Sequence, residues 1–150
     1  MRPRVVTRGS LTVLLSLLTL PACGTAETPT SATTTTTTTT VASPTTTEEF
    51  NGTVTVGGSS FYAFTVAENG TVNVTLASVG GTGVPSTVWM GLGVGAPSGE
   101  DCSTSSLTNG PAGTGPQVSS VYAPGIYCVK VADIGNLAQP ATFAVTIAHP

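Results

Sequence analysis

Residues 50–150 of this 150-residue chain predict an all-β fold, an antiparallel β-sandwich, on three observations. Apolar residues recur at every second position in six separate stretches, which places them on one face of a strand. Gly, Pro or Asn-Gly marks nearly every break between these stretches, the punctuation of an all-β domain. No window carries the 3.6-residue period of an amphipathic helix.

Ahead of that domain, Arg2, Arg4 and Arg8 precede a run of Leu, Val, Thr and Ser that ends at Pro21. This is the charged and apolar layout of a secretory signal, expected over residues 1–22. The apolar run is about half of the roughly 20 residues a membrane-spanning helix needs. Its end, Leu20-Pro21-Ala22-Cys23, resembles the bacterial lipobox, which departs from this chain in seldom carrying proline at the second position. The resemblance implies cleavage before Cys23 and a lipid on its thiol; ordinary signal cleavage is the plainer alternative. Each buried methylene contributes about 0.8 kcal/mol, and two or more acyl chains hold a protein stably on a bilayer. The protein is therefore expected to be exported and anchored to the cell envelope through Cys23. In the lipobox family an Asp after the lipidated cysteine favours inner-membrane retention. Gly24 stands there instead, which favours the outer membrane or cell surface.

Residues 23–49, after the lipidated cysteine, are mostly threonine, with the unbroken run Thr33 to Thr40. Such a composition buries too little apolar area to offset the entropy of ordering it. A disordered tether is expected, spanning from about 30 Å as a coil to about 80 Å extended. The threonine density suits O-glycosylation, and an undecorated spacer fits it equally well.

The strands follow in order. "FNGTVTV" places Phe50, Val54 and Val56 on one face, "FYAFTVA" Tyr62, Phe64 and Val66, and "TVNVTLA" Val72, Val74 and Leu76. Asn69-Gly70 lies between the second and third and reads as a type I′ turn joining adjacent antiparallel strands. Val88, Met90, Leu92 and Val94 share a face in "STVWMGLGV", as do Tyr127, Val129 and Val131 in "GIYCVKVA" and Phe143, Val145 and Ile147 in "ATFAVTIA". A weaker strand is expected over Gln117 to Tyr122. Residues 95–116 read as one long loop, and connections beyond about 15 residues tend to be functional or mobile.

The stretches "SSFYAFTVAENGTVNVTLAS" and "YAPGIYCVKVADIGNLAQPATFAVTIA" resemble the bacterial pre-peptidase C-terminal (PPC) domain over nearly all of residues 50–148. The pattern includes Pro124, Gly125, Tyr127, Val129 and Val131. The resemblance implies a jelly-roll-like sandwich without catalytic activity, appended to exported proteins, some members binding calcium or assisting substrate binding. This chain has Thr87-Val88-Trp89 where the family commonly has an Asp-Leu-Tyr strand. Calcium is put in doubt by the missing carboxylate.

Charge and motif narrow the function. After Cys23 there are seven carboxylates and one cation, Lys130, so the basic footprint of a nucleic-acid or anionic-lipid binder is missing. With Cys23 set aside, Cys102 and Cys128 form an even pair in an exported protein and are expected to be disulfide-bonded, contributing about 3 kcal/mol. Two thiols outside a CxxC spacing and the distant His149 make a poor zinc site, and no cofactor is expected. "GLGVGA", Gly91 to Ala96, has the letters of a dinucleotide loop but lies in a strand pattern and leads to Pro97 rather than a helix. His149, the only histidine, stands next to the C-terminus, where fraying is expected to spoil a general base. The chain is accordingly not expected to be an enzyme.

Glu100, Asp101, Asp133 and Asn136 have the oxygens a hard cation takes, although Asp and Asn are ordinary turn formers, which is the preferred reading. The sequons at Asn51, Asn69 and Asn73 read as turn and strand residues. Trp89 has the parity opposite to Met90 and Leu92. It either stands on the outer face, where a sugar or peptide would stack, or packs over Gly91 and Gly93; burial is favoured because large aromatics dominate cores. Trp89, Glu100, Asp101 and Asn109 are the candidate ligand-binding residues. A surface-displayed binding or accessory module for a polysaccharide or extracellular protein is the leading function; the alternative is a purely structural envelope lipoprotein without a specific ligand.

Overall fold

The computed structural model describes residues 40–150. The expected signal segment, the lipid site Cys23 and the threonine-rich stretch through residue 39 lie outside the described residues.

Nine strands and no helix occur among the described residues: β1 (Thr46–Val54), β2 (Ser59–Val66), β3 (Gly70–Gly80), β4 (Met90–Ser98), β5 (Asp101–Thr104), β6 (Thr108–Gly110), β7 (Val118–Tyr122), β8 (Gly125–Asp133) and β9 (Ala141–His149). They form two antiparallel sheets in the orders β1-β9-β3-β7 and β2-β8-β4-β5, with β6 also paired to β4. The first strand pairs with the last, the second with the eighth, the third with the seventh, and β4 with β5. The chain is thus one long antiparallel hairpin, rolled into the two layers of a jelly-roll sandwich. Its tip is the β4–β5 turn, where Gly99 adopts a φ of 60° that a β-carbon disfavours.

The inward residues of both sheets form one core: Val54, Phe64, Val66, Val72, Val74, Leu76, Met90, Leu92, Val129, Val131, Phe143, Val145 and Ile147 are all buried. Alternation therefore located the buried face of each of the six main strands, and β7 lies where the weaker strand was expected. Val56 departs from it: β1 ends at Val54, and Val56 is exposed in the turn that follows. There the chain reverses through Gly57 at a φ of 68°, so alternation no longer applies.

Three further expectations are corrected. Asn69-Gly70 is no hairpin turn, because β2 and β3 belong to different sheets. A type I′ turn needs positive φ at both central residues, and neither residue has one. Gly70 is small for a different reason: a β-carbon there would strike the Ala42 carbonyl and the Pro150 ring. The folded region also begins before Phe50. Ala42 bridges to Gly70, and β1 pairs with β9 from Thr46 onward, since β-branched threonine suits a strand as well as a spacer. Finally, residues 95–116 are not one loop. They contain the end of β4 together with β5 and β6.

Candidate functional site

The outer face of β4 explains its glycines. Gly91, Gly93 and Gly95 point away from the core, and the 103–107 stretch folds back over them. A β-carbon on Gly93 would lie 2.7 Å from the Ser106 carbonyl oxygen and 2.8 Å from Leu107 Cδ2. One on Gly91 would lie 2.9 Å from Leu107 Cδ1 and 3.1 Å from Ile134 Cγ2. Real contacts this short require something to move, so the glycines form a trough that seats the return segment. "GLGVGA" thus serves packing between chain segments, as its place in a strand requires.

A disulfide closes the same layer. Cys102 and Cys128 are bonded, and both are buried. Cys128 alternates with the inward residues Tyr127 and Val129, so the bridge lies on the outer side of the β2-β8-β4-β5 sheet, where it fastens β5 to β8. The long segment is therefore fastened to β8 through Cys102, as the expected pairing of the two cysteines implies.

Trp89 immediately precedes β4 on this outer face and is 53% exposed. The expected burial over Gly91 and Gly93 is corrected: Leu107 and Ile134 already occupy that space, leaving the indole at the rim. The Asn136 amide donates to the Trp89 carbonyl at 3.2 Å, which ties the rim to the loop after β8. Asn109 pairs with Gly91 in the register, and its side chain lies over that glycine. Diagonal cross-strand neighbours stand about 7–8 Å apart, so Asn109 and Trp89 share one surface. Sequence parity placed Trp89 on this face; nothing in the sequence singled out Leu107 and Ile134 as the residues that displace it.

The other candidate residues lie elsewhere. Glu100 and Asp101 are in the turn and strand at the far end of β4, about 30 Å along the strand from Trp89. Asp101 is committed locally: Lys130 Nζ donates to both of its oxygens at 2.8 and 3.1 Å, and the Cys102 N–H donates at 2.7 Å. The Lys130 hydrogen bond, then the Cys102 amide, holds the Asp101 carboxyl below its ordinary value. Asp133 is likewise a turn organiser. Its Oδ2 accepts from Gly57 N–H at 2.8 Å, and its Oδ1 from Gly135, Asn136 and Leu137. These backbone donors, Gly57 first, lower its pKa against the opposing effect of burial. Among the described residues the four candidate oxygen donors do not converge, and no cluster of three His, Cys, Asp or Glu side chains is present.

His149 also differs from expectation. It is the last residue of β9, pairs with Thr46 and is 4% exposed, so it is held in the sheet instead of standing free at the terminus. Its Nε2 lies 3.0 Å from Glu48 Oε1, while the Tyr62 hydroxyl donates to Glu48 Oε2 at 2.7 Å. The hydrogen bond to Glu48, ahead of the charge of that carboxylate, raises the Tyr62 pKa. This network joins β1, β2 and β9 across both sheets, so the imidazole is engaged in holding the fold's first strand.

A second concave feature lies on the opposite side of the sandwich from the β1–β2 turn. A cleft of about 330 Å³ runs between β7 and the β4–β6 region, with Leu92 and Val94 at its base and Ser105, Ser106, Thr108, Ser120 and Tyr122 along its walls. Gln117, at one end, accepts the Leu76 N–H at 2.7 Å through Oε1, continuing the pairing of β3 where β7 has not yet begun. In comparisons with known proteins, no family model and no curated protein matches the chain.

Proposed function

We propose that this chain is a lipid-anchored cell-envelope protein that displays a non-catalytic β-sandwich as a binding or accessory module for a polysaccharide or an extracellular protein. The observation that carries the reading is the exposed Trp89, held on a disulfide-pinned sheet beside the amides of Asn109 and Asn136. An indole face stacks on sugar rings or apolar side chains, and amides supply neutral donors and acceptors for orientation. Export signal, lipobox and threonine-rich tether would hold such a module away from a bilayer. The alternative, a structural envelope protein without a ligand, gives no account of a tryptophan at the rim.

Catalysis has little support in the geometry. The only histidine is paired with Glu48 and buried, and the carboxylates of Asp101 and Asp133 are occupied by Lys130 and by backbone amides. The test is a screen of the full chain against arrayed cell-wall glycans and envelope proteins, repeated with Trp89→Ala. The reading expects a bound ligand whose retention is lost in the variant while the thermal unfolding curve is unchanged. Retention of every ligand by Trp89→Ala would refute the site. Turnover of a peptide, ester or glycan substrate by the purified chain, surviving His149→Ala, would refute the non-enzymatic reading.

A further inference from the structure

The two open sides of the sandwich are finished differently. On one side, among the described residues, β1 and β2 are the terminal strands of their sheets, and aromatic and charged side chains lie along the β1 edge. Phe50 stacks on Tyr62 with ring centroids 5.3 Å apart, the Tyr62 hydroxyl bonds Glu48, and Glu48 and Glu49 put carboxylates on the β1 edge. Inward and edge charges of this kind are how natural sheets prevent unwanted strand addition. On the other side β7 is, among the described residues, the terminal strand of its sheet, paired with β3 alone. Its five residues, Val118-Ser119-Ser120-Val121-Tyr122, include no charge, proline or glycine, and Val121 is 54% exposed. The cleft opens directly beside this uncharged edge.

The cleft walls add a second feature. Ser120 is opposite Val72 in the register and so faces between the sheets, where a bulkier apolar residue would have closed the gap. The walls present neutral hydroxyls, the base is aliphatic, and no lining residue is charged. Five strand residues extend about 17 Å, long enough for a short extended segment to lie along the whole edge.

We infer that this cleft takes an extended, uncharged peptide segment of a partner protein, which adds to β7 as a fifth strand of the β1-β9-β3-β7 sheet. An edge strand offers alternating backbone N–H and C=O groups at the two-residue repeat of another strand, a pattern that a peptide backbone matches and a sugar ring does not. Alternate side chains of the added strand would meet Leu92 and Val94 on one side and solvent on the other. A charged residue entering the cleft would be desolvated without an opposite charge to receive it, so the segment is neutral and rich in small or β-branched residues. The site is separate from the Trp89 surface, from which the Leu107 side chain and β4 divide it, and does not depend on the reading given to Trp89.

The test presents the full chain to an array of short peptides composed of Ala, Ser, Thr, Val and Asn, beside the same peptides N-methylated at alternate residues and beside cell-wall oligosaccharides. Captured peptides are then followed by hydrogen exchange. The inference expects capture of unmodified peptides and slowed exchange of the 118–122 amides on binding. N-methylation and Ser120→Lys are each expected to weaken binding by roughly tenfold or more, and Trp89→Ala to leave it unchanged. Because Ser120→Lys can disturb the strand itself, the N-methylated peptides, which leave the protein untouched, decide the matter. No captured peptide, equal binding of methylated and unmethylated forms, or unaltered exchange in β7 would each overturn the inference. So would oligosaccharides protecting the β7 amides in place of peptides. Loss of binding in Trp89→Ala would reassign the peptide to the outer face.

Discussion

At Gly93 a methyl group has nowhere to go, because the Ser106 carbonyl and the Leu107 side chain already fill the position. Gly93→Ala is therefore predicted to destabilise the fold by roughly 1–3 kcal/mol, measured by urea unfolding, whereas Gly110→Ala, with open space at the same atom, serves as the near-neutral control. A second prediction concerns the two turn carboxylates. Asp101 and Asp133 have pKa values lowered from 3.8 in the fold, so the stability they contribute is fully present above that ordinary value and lost as pH falls through the lowered values. The melting temperature should decline below about pH 4, and Asp133→Asn should flatten the decline while costing about 1–2 kcal/mol through weakened hydrogen bonds to Gly57 and the 135–137 amides. A melting temperature in the variant that falls as steeply as in the parent would contradict the role given to Asp133. Neither the trough nor the carboxylate clamp was legible in the sequence. Alternating glycine reads equally well as a weakened strand, and Asp133 in "ADIGN" reads as an ordinary turn former.

At the scale of elements, period-2 alternation was sufficient for the six main strands because one face of each meets a common core. It failed for β5 and β6, short strands that pair along β4 in the β2-β8-β4-β5 sheet and have few apolar side chains to alternate. With no apolar partner to match, Cys102 and Leu107 are the only sign in sequence that this stretch packs at all. The same absence makes the disulfide decisive here. Its loop of 26 residues corresponds to about 3 kcal/mol in the chain-entropy account. Reduction, or the paired Cys102→Ser and Cys128→Ser change, is predicted to lower stability by about that amount. Amides of residues 101–110 should exchange fastest in the reduced protein, since β5 and β6 depend most on the bridge. Uniform loss of protection across all strands would contradict this local role.

For the whole molecule, the rolled hairpin brings the two ends of the folded chain together: Thr46 pairs with His149, and Ala42 bridges to Gly70 beside Pro150. The 95–116 stretch is at the other end of the hairpin's path, as its tip. If Cys23 carries the lipid, Cys23→Ser should move the exported protein from the membrane pellet to the soluble fraction, and unchanged sedimentation without detergent would contradict anchoring. The sandwich was legible in the sequence, while the expected signal and anchor lie outside the described residues; the candidate ligand residues were located only in part. Trp89 and Asn109 share a face, while Glu100 and Asp101 are separated from them by the length of β4, a distance that turn-forming residues in a single quoted stretch do not reveal. Trp89 is the only tryptophan in the chain and is exposed, so its emission reports directly on the proposed site. The decisive measurement is a fluorescence titration of the full chain with the glycan or protein retained in the array screen. A blue shift with protection from acrylamide quenching is predicted, with a midpoint little changed by added salt, since Lys130 is occupied by Asp101 and stacking has no counterions to release. Saturable binding that leaves the Trp89 emission and its quenching unaltered would contradict the account.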